Sequence, residues 1–155
     1  MSPSVTMSMD RFNQQVLACQ EEAFTLAFSL LGDEALACEV LQEVILQVYS
    51  GWRGDDCNIV VKVLHGVIGI SRQAKLSKTC DATEWIPGWN QLERGKQEAL
   101  LLVDLLGKSY QQTALVLDRS EGDVALTVAH GRCKLAANPQ RTNQPICIGR
   151  EGTYN

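Results

Sequence analysis

The chain has 155 residues, room for one domain or two small ones around a real core. Its 45% apolar and 21% charged content is that of an ordinary soluble globular protein, and a net charge of −4 excludes a generally basic nucleic-acid coat. No C-x-x-C pair, no signal-peptide pattern and no apolar run of the roughly 18 residues a membrane span requires is present, so a reduced, cytoplasmic protein without a membrane partner is expected.

Residues 1–9 form a polar, Ser/Met-rich lead. Asp10 can cap a helix running to about Leu31, with Phe12, Val16, Ala23, Phe24, Ala27, Phe28 and Leu31 at helical spacing and Gly32 as its stop. Asp33 can open a second helix to about Tyr49. Leu36, Val40, Leu41, Val44, Ile45 and Val48 form its apolar stripe, and Glu39, Gln42, Glu43 and Gln47 its polar side. Gly51 to Asp56 (GWRGDD) reads as a turn. A third helix is predicted over Asn58–Lys78. Val60, Val61, Val63, Val67, Ile68 and Ile70 would suit a strand as well, but no second strand-like run is available to pair with it. Lys62, Arg72, Lys75 and Lys78 occur there without an acid, a local +4. Such a run is either a solvated helix face or a strip that contacts phosphates.

Thr79–Asn90 breaks the pattern, with Pro87-Gly88 between Trp85 and Trp89, and reads as a linker. A short helical pattern follows over Gln91–Leu106, stopped at Gly107. Gly107–Leu135 then holds two short helical patterns around the polar break Asp118-Arg119-Ser120. Ser109 with Gln112 has capping-box spacing, and Ser120 with Asp123 repeats it. Tyr110, Thr113, Ala114 and Leu117 mark one apolar stripe; Val124, Thr127, Val128, Gly131 and Leu135 mark the other. Taken alone, this stretch is either a helix-turn-helix or a plain helical hairpin. From Asn138 the chain is Pro/Asn/Gly-rich and aperiodic, a tail. Cys19, Cys38 and Cys133 fall inside helical patterns, where cysteine packs as a small buried residue.

The order of these parts resembles the extracytoplasmic-function sigma factors of bacterial RNA polymerase across residues 10–137. Leu31-Gly32-Asp33, then Ala37-Cys38-Glu39-Val40-Leu41-Gln42-Glu43-Val44 and Leu46-Gln47-Val48-Tyr49, is similar to that family's core-docking helix. Gln97 to Ala114 (QEALLLVDLLGKSYQQTA), Gly122-Asp123-Val124 and Arg132-Cys133-Lys134-Leu135 are similar to its C-terminal helix-turn-helix. The resemblance implies an all-α fold of two small helical domains, 10–78 and 91–137, with a linker at 79–90 and a tail at 138–155. It implies core RNA polymerase as partner through Glu39, Gln42, Glu43 and Gln47. It implies promoter DNA contacts by Lys62, His65, Arg72, Lys75 and Lys78 in the first domain, and by Ser120, Thr127, His130, Arg132 and Lys134 in the second. An anti-sigma factor would be a further partner.

The chain also departs from that family. Near Val63–Ser71, His65 is the only polar ring, and Gly66 and Gly69 stand where basic residues are expected. The outer positions of the last helix are Asp123, Ala125, Leu126, Thr127 and Ala129. Reading bases in the major groove needs donors, which Ala, Leu and Asp lack, and Asp123 repels phosphate. Leu126, Ala129 and Cys133 lie at i, i+3, i+7, opposite Val124, Val128 and Leu135. This stripe either faces a protein or is buried under the linker or tail. Two functions stay open: a sigma factor that initiates transcription at promoters, or a sigma-like protein acting through protein contacts with an anti-sigma factor, the polymerase or itself. The two histidines and the Glu39/Glu43 pair converge on no acid–base or metal constellation, so neither an enzyme nor a cofactor is expected.

Overall fold

A computed structural model describes residues 3–54, 58–74 and 86–139, with side chains from residue 8 onward. Every regular element among the described residues is helical. In order they are α1 (Pro3–Leu31), α2 (Glu34–Gly51), α3 (Ile59–Gln73), a 3-10 turn (Trp89–Gln91), α4 (Arg94–Leu100), a π turn that continues it (Leu101–Leu105), α5 (Tyr110–Leu117) and α6 (Glu121–Ala136).

The helix boundaries follow the start and stop chemistry of the sequence, with three differences, the first being that α3, expected to reach Lys78, ends at Gln73 with Ala74 extended as its C-cap. Gly32 ends α1 in the left-handed region at φ +69°, and Asp33 caps α2 by accepting the Leu36 N–H at 2.8 Å. Ser109 and Gln112 close a full capping box on α5. Helix α1, however, begins at Pro3, so the lead is helical and Asp10 is an exposed mid-helix residue. Proline suits the first helical position, where no N–H is needed. The expected helix over Gln91–Leu106 starts later, at Arg94, and its last turn widens into the π turn, where Leu106 N–H reaches Leu101 O at 2.9 Å.

Helices α1, α2 and α3 pack on one another around Ala23, Leu26, Ala27, Ala37, Val44, Ile59 and Val67, all fully buried. The ambiguous apolar run becomes α3 because Ile59, Val63, Leu64, Val67, Ile68 and Ser71 then share one buried face. Helices α4 to α6 pack around Ala99, Leu102, Val116, Val124 and Val128. The buried residues of both sets form one continuous cluster, joined mainly where α3 meets α5. Residues 75–85 of the third-helix and linker expectation, and the tail from 140, lie outside the described residues. The start of the tail is held down, since Asn138 is buried against Gly88, whose φ of +85° no side chain adopts readily. Of the cysteines expected to be buried, Cys19 is, whereas Cys38 and Cys133 are exposed. Helical periodicity places a residue in a helix without fixing which way its face turns.

Two glycines of α3 have opposite surroundings. A Cβ at Gly66 would sit 2.8 Å from Val44 Cγ1, while one at Gly69 would meet nothing within 4 Å. Gly66 thus sets the close approach of α2 and α3, and Gly69 only loosens the helix. Gly69→Ala should raise unfolding stability by about 0.5–1 kcal/mol, and Gly66→Ala should lower it by about 1–2 kcal/mol through overpacking a short, branched neighbour. Urea denaturation of both variants checks the pair of signs.

Candidate functional site

Three surfaces carry the residues that the sequence singles out. The first is the outer face of α2. Glu39, Gln42, Glu43 and Gln47 are all exposed, while Val40 and Val44 bury the opposite face against α1 and α3. Gln47 Nε2 donates to Glu43 Oε1 at 3.1 Å, one turn apart, so two of the four side chains are mutually oriented. Leu46, 68% exposed, and Tyr49 project beside them. The face is acidic and amide-rich with an apolar spot, and α2 contains no basic residue.

The second surface is on α3. Lys62, His65 and Arg72 lie at i, i+3, i+10 and so share a face; all three are exposed, His65 reaching α5 and Arg72 reaching α4. His65 Nδ1 lies 2.8 Å from Val116 O; the carbonyl can only accept, so the ring donates there. Arg72 is bidentate on Glu98, with Nε at 2.8 Å and Nη2 at 2.6 Å from the two carboxylate oxygens. Glu98 is fully buried, and its second cation is Arg94, whose Nε stands 3.5 Å away. Bonding to Glu98 holds the Arg72 guanidinium above its ordinary pKa. Burial pushes Arg94 down, opposed by the charge of Glu98. Lys75 and Lys78 lie outside the described residues.

The third surface is α6. Ser120 is its cap, accepting the Asp123 N–H at 3.1 Å. Thr127 is half-buried on the inward stripe, and His130 is exposed. The two firm cations of the helix are both engaged by acids of the preceding segment. Arg132 is bidentate on Asp104 at 3.1 and 2.5 Å, and its pKa is raised by these bonds and, more weakly, by Tyr110. Lys134 pairs with Glu93 at 3.2 Å; Glu93 also holds Lys96 at 2.8 Å, and the two lysines lower its carboxyl pKa. Between these pairs Leu126 is 56% exposed, and Ala129 and Cys133 are exposed as well. All three side chains of this stripe are therefore exposed among the described residues. Among the described residues no three His, Cys, Asp or Glu side chains converge on a metal position, and no helix is long and apolar enough to cross a membrane.

The acids that complete these arrangements, Glu93, Glu98 and Asp104, are absent from the sequence-level candidates. One signal was available for Glu98: it sits directly before the apolar run Ala99 to Val103, where a charge must find a partner or remain in water. That its partner is Arg72, 26 positions earlier, is a tertiary fact.

Residues 90–135 match the family model for sigma-70, region 4. The chain is similar to the sigma factor RpoE in its co-crystal structure with the anti-sigma factor NepR from Bartonella quintana. The TM-score is 0.65 at 15% identity, with 86% of this chain and 99% of that chain covered. At that identity the likeness is one of fold. No curated protein sequence matches the chain.

The α6 cap gives a direct check of the C-terminal geometry. Ser120→Ala should lower unfolding stability by about 1 kcal/mol, whereas Ser120→Asp, which keeps an acceptor for the Asp123 N–H, should stay within a few tenths of the parent. Thermal or urea melts of the two variants measure it.

Proposed function

We propose that the chain has a sigma-factor-like role and binds core RNA polymerase through α2, a reading supported by the match of residues 90–135 to sigma-70, region 4 and by a fold similar to that of a sigma factor. The observation that carries this reading is the outer face of α2. Glu39, Gln42, Glu43 and Gln47 stand together in solvent on a helix anchored by its other side, with exposed Leu46 among them. Acids set around an apolar spot suit a basic, helical partner surface: the charges steer and orient, and the desolvated apolar contact holds. Promoter DNA would be met by α3, through Lys62, His65 and Arg72 with Lys75 and Lys78 beyond the described end of the helix. By the same reading Ser120, Thr127, His130, Arg132 and Lys134 would serve α6.

A second reading of α6 is favoured by a specific observation. Its exposed middle is Leu126, Ala129 and Cys133, and Arg132 and Lys134 are already paired with Asp104 and Glu93. A helix that reads base edges needs outward donors, and one that grips phosphates needs uncommitted cations. On this reading the C-terminal unit meets protein, such as an anti-sigma factor or the polymerase, and contributes little sequence-specific DNA binding.

The experiment is capture of purified core polymerase by the full chain. Wild type should retain core, and Glu39→Arg/Glu43→Arg should weaken retention by roughly tenfold, about 1.4 kcal/mol. Equal retention by both chains would remove α2 as the docking face. The same complexes, challenged with promoter-containing and scrambled duplexes over a salt series, separate the two readings of α6. A reader of DNA discriminates between the duplexes, and a protein-docking helix leaves their affinities equal.

A further inference from the structure

The outward side of α6 is nearly palindromic. Gly122, Leu126, Ala129 and Cys133 run along it at i, i+4, i+7 and i+11, and all four are exposed. At about 100° of rotation per residue they fall in one narrow band. Charges flank the band on both sides, acids towards the start of the helix and cations towards its end. Asp123, His130 and Lys134 lie on one flank; Glu121 and Arg132 lie on the other, and all five are exposed. Arg119, just before the helix, is turned aside to Gly95 on α4.

An antiparallel copy of the same helix reverses that order of charge. With a two-fold axis between Thr127 and Val128, Leu126 comes level with Ala129 of the second copy, and Gly122 with Cys133 of the second copy. Large then meets small along the band, so the two axes can approach without leaving a void. In such a pair each flank faces the same flank of the other helix. Glu121 stands about 3 Å along the axis from Arg132 of the second copy, and Asp123 about 3 Å from Lys134 of the second copy. A parallel pair would instead set acid level with acid and cation level with cation. The bonds that the cations make within the chain do not use them up. Asp104 takes two of the five N–H donors of Arg132, Glu93 takes one of the three on Lys134, and the two side chains are 51% and 52% exposed.

We propose that α6 pairs antiparallel with α6 of a second copy of this chain, forming a two-fold dimer centred on Leu126 and Ala129. The proposal rests on the reading of α6 as a helix that meets protein, and it names the protein. The apolar band holds the pair, while the flanking charges select the antiparallel direction and the register. One pair of helices of about four turns buries less than about 1,200 Å² in total, so the dimer forms and parts with concentration.

Sedimentation equilibrium of the full chain, with thiols kept reduced, tests it. The wild-type mass should climb from one chain towards two between about 1 and 500 μM. Leu126→Glu changes an exposed side chain, so helix content by circular dichroism should hold while the mass stays that of one chain. The acid-reversed chain Glu121→Lys/Asp123→Lys should self-associate roughly tenfold more weakly than wild type. The cation-reversed chain Arg132→Glu/Lys134→Glu should do the same, and an equimolar mixture of the two should recover a mixed dimer. A dimer that Leu126→Glu leaves unchanged, or a mixture no more associated than its components, overturns the pairing. So does a wild type that stays one chain throughout. If that single chain also discriminates promoter-containing from scrambled duplexes, the protein-facing reading of α6 falls with the pairing; equal duplex affinities overturn the pairing alone.

Discussion

A carboxylate leaves water only where something answers its charge, and Glu98 is answered from two sides. Arg72 comes from α3 and Arg94 from the start of its own helix. Moving such a group from solvent costs several kcal/mol even after relaxation, and only close, hydrogen-bonded cations offset it. The position of α4 against α3 is therefore tied to the fork of Arg72. Ile68 and Ser71 on α3, and Ala99 and Leu100, which follow Glu98 in sequence, are buried as well. Apolar contacts alone would let α3 and α4 slide past each other; a bidentate pair fixes direction as well as distance. Two further polar ties at other points of the seam, Glu22–Lys108 and His65–Val116, leave it little freedom to rotate.

The same acid–base pairing recurs on the outside of the C-terminal helices with a different effect. Asp104 and Glu93 stand in solvent, so their pairs with Arg132 and Lys134 add little to stability. What they change is the field that α6 presents. A helix beginning with Glu121 and Asp123 and ending in two cations paired with acids presents a weaker positive field than the same cations unpaired. Exposed Leu126, Ala129 and Cys133 occupy the space between. The scaffold of a helix-turn-helix is complete, with a capping box on α5, a left-handed Asp118 at the turn and a serine cap on α6. Its outward middle is apolar, Leu126, Ala129 and Cys133, between charges that are paired.

Much of this was legible in the sequence wherever local chemistry decides. The caps at Asp33, Ser109 and Ser120, the stops at Gly32 and Gly107 and the inward stripe Val124, Val128, Gly131 and Leu135 all depend on residues within a few positions of one another, and each is found where spacing puts it. The outer row Glu39, Gln42, Glu43 and Gln47 was legible for the same reason. The start of α1 was not, because a Ser/Met-rich lead has no strong preference that contradicts a coil. Nor were the partners of Arg72, Arg132 and Lys134. Each is a pairing over 26 to 41 positions that only the packed chain brings together. A run of basic residues without neighbouring acids therefore says nothing by itself about which of those charges remain available.

The π turn at Leu101–Leu105 has a consequence of another kind. A helix that spends five residues on a hydrogen-bonded turn instead of four has in effect accepted an extra residue, and here the widening lies between the buried Leu101 and Leu102 and the exposed Asp104. In a regular helix each residue adds about 100° of rotation, so removing one residue from this turn would swing Asp104 away from Arg132 while leaving everything before it in place. Chain length at this point is thereby coupled to the aim of a side chain on α6. A change in residue number that most surface helices would absorb at their ends would here alter which charge the last helix shows to its surroundings.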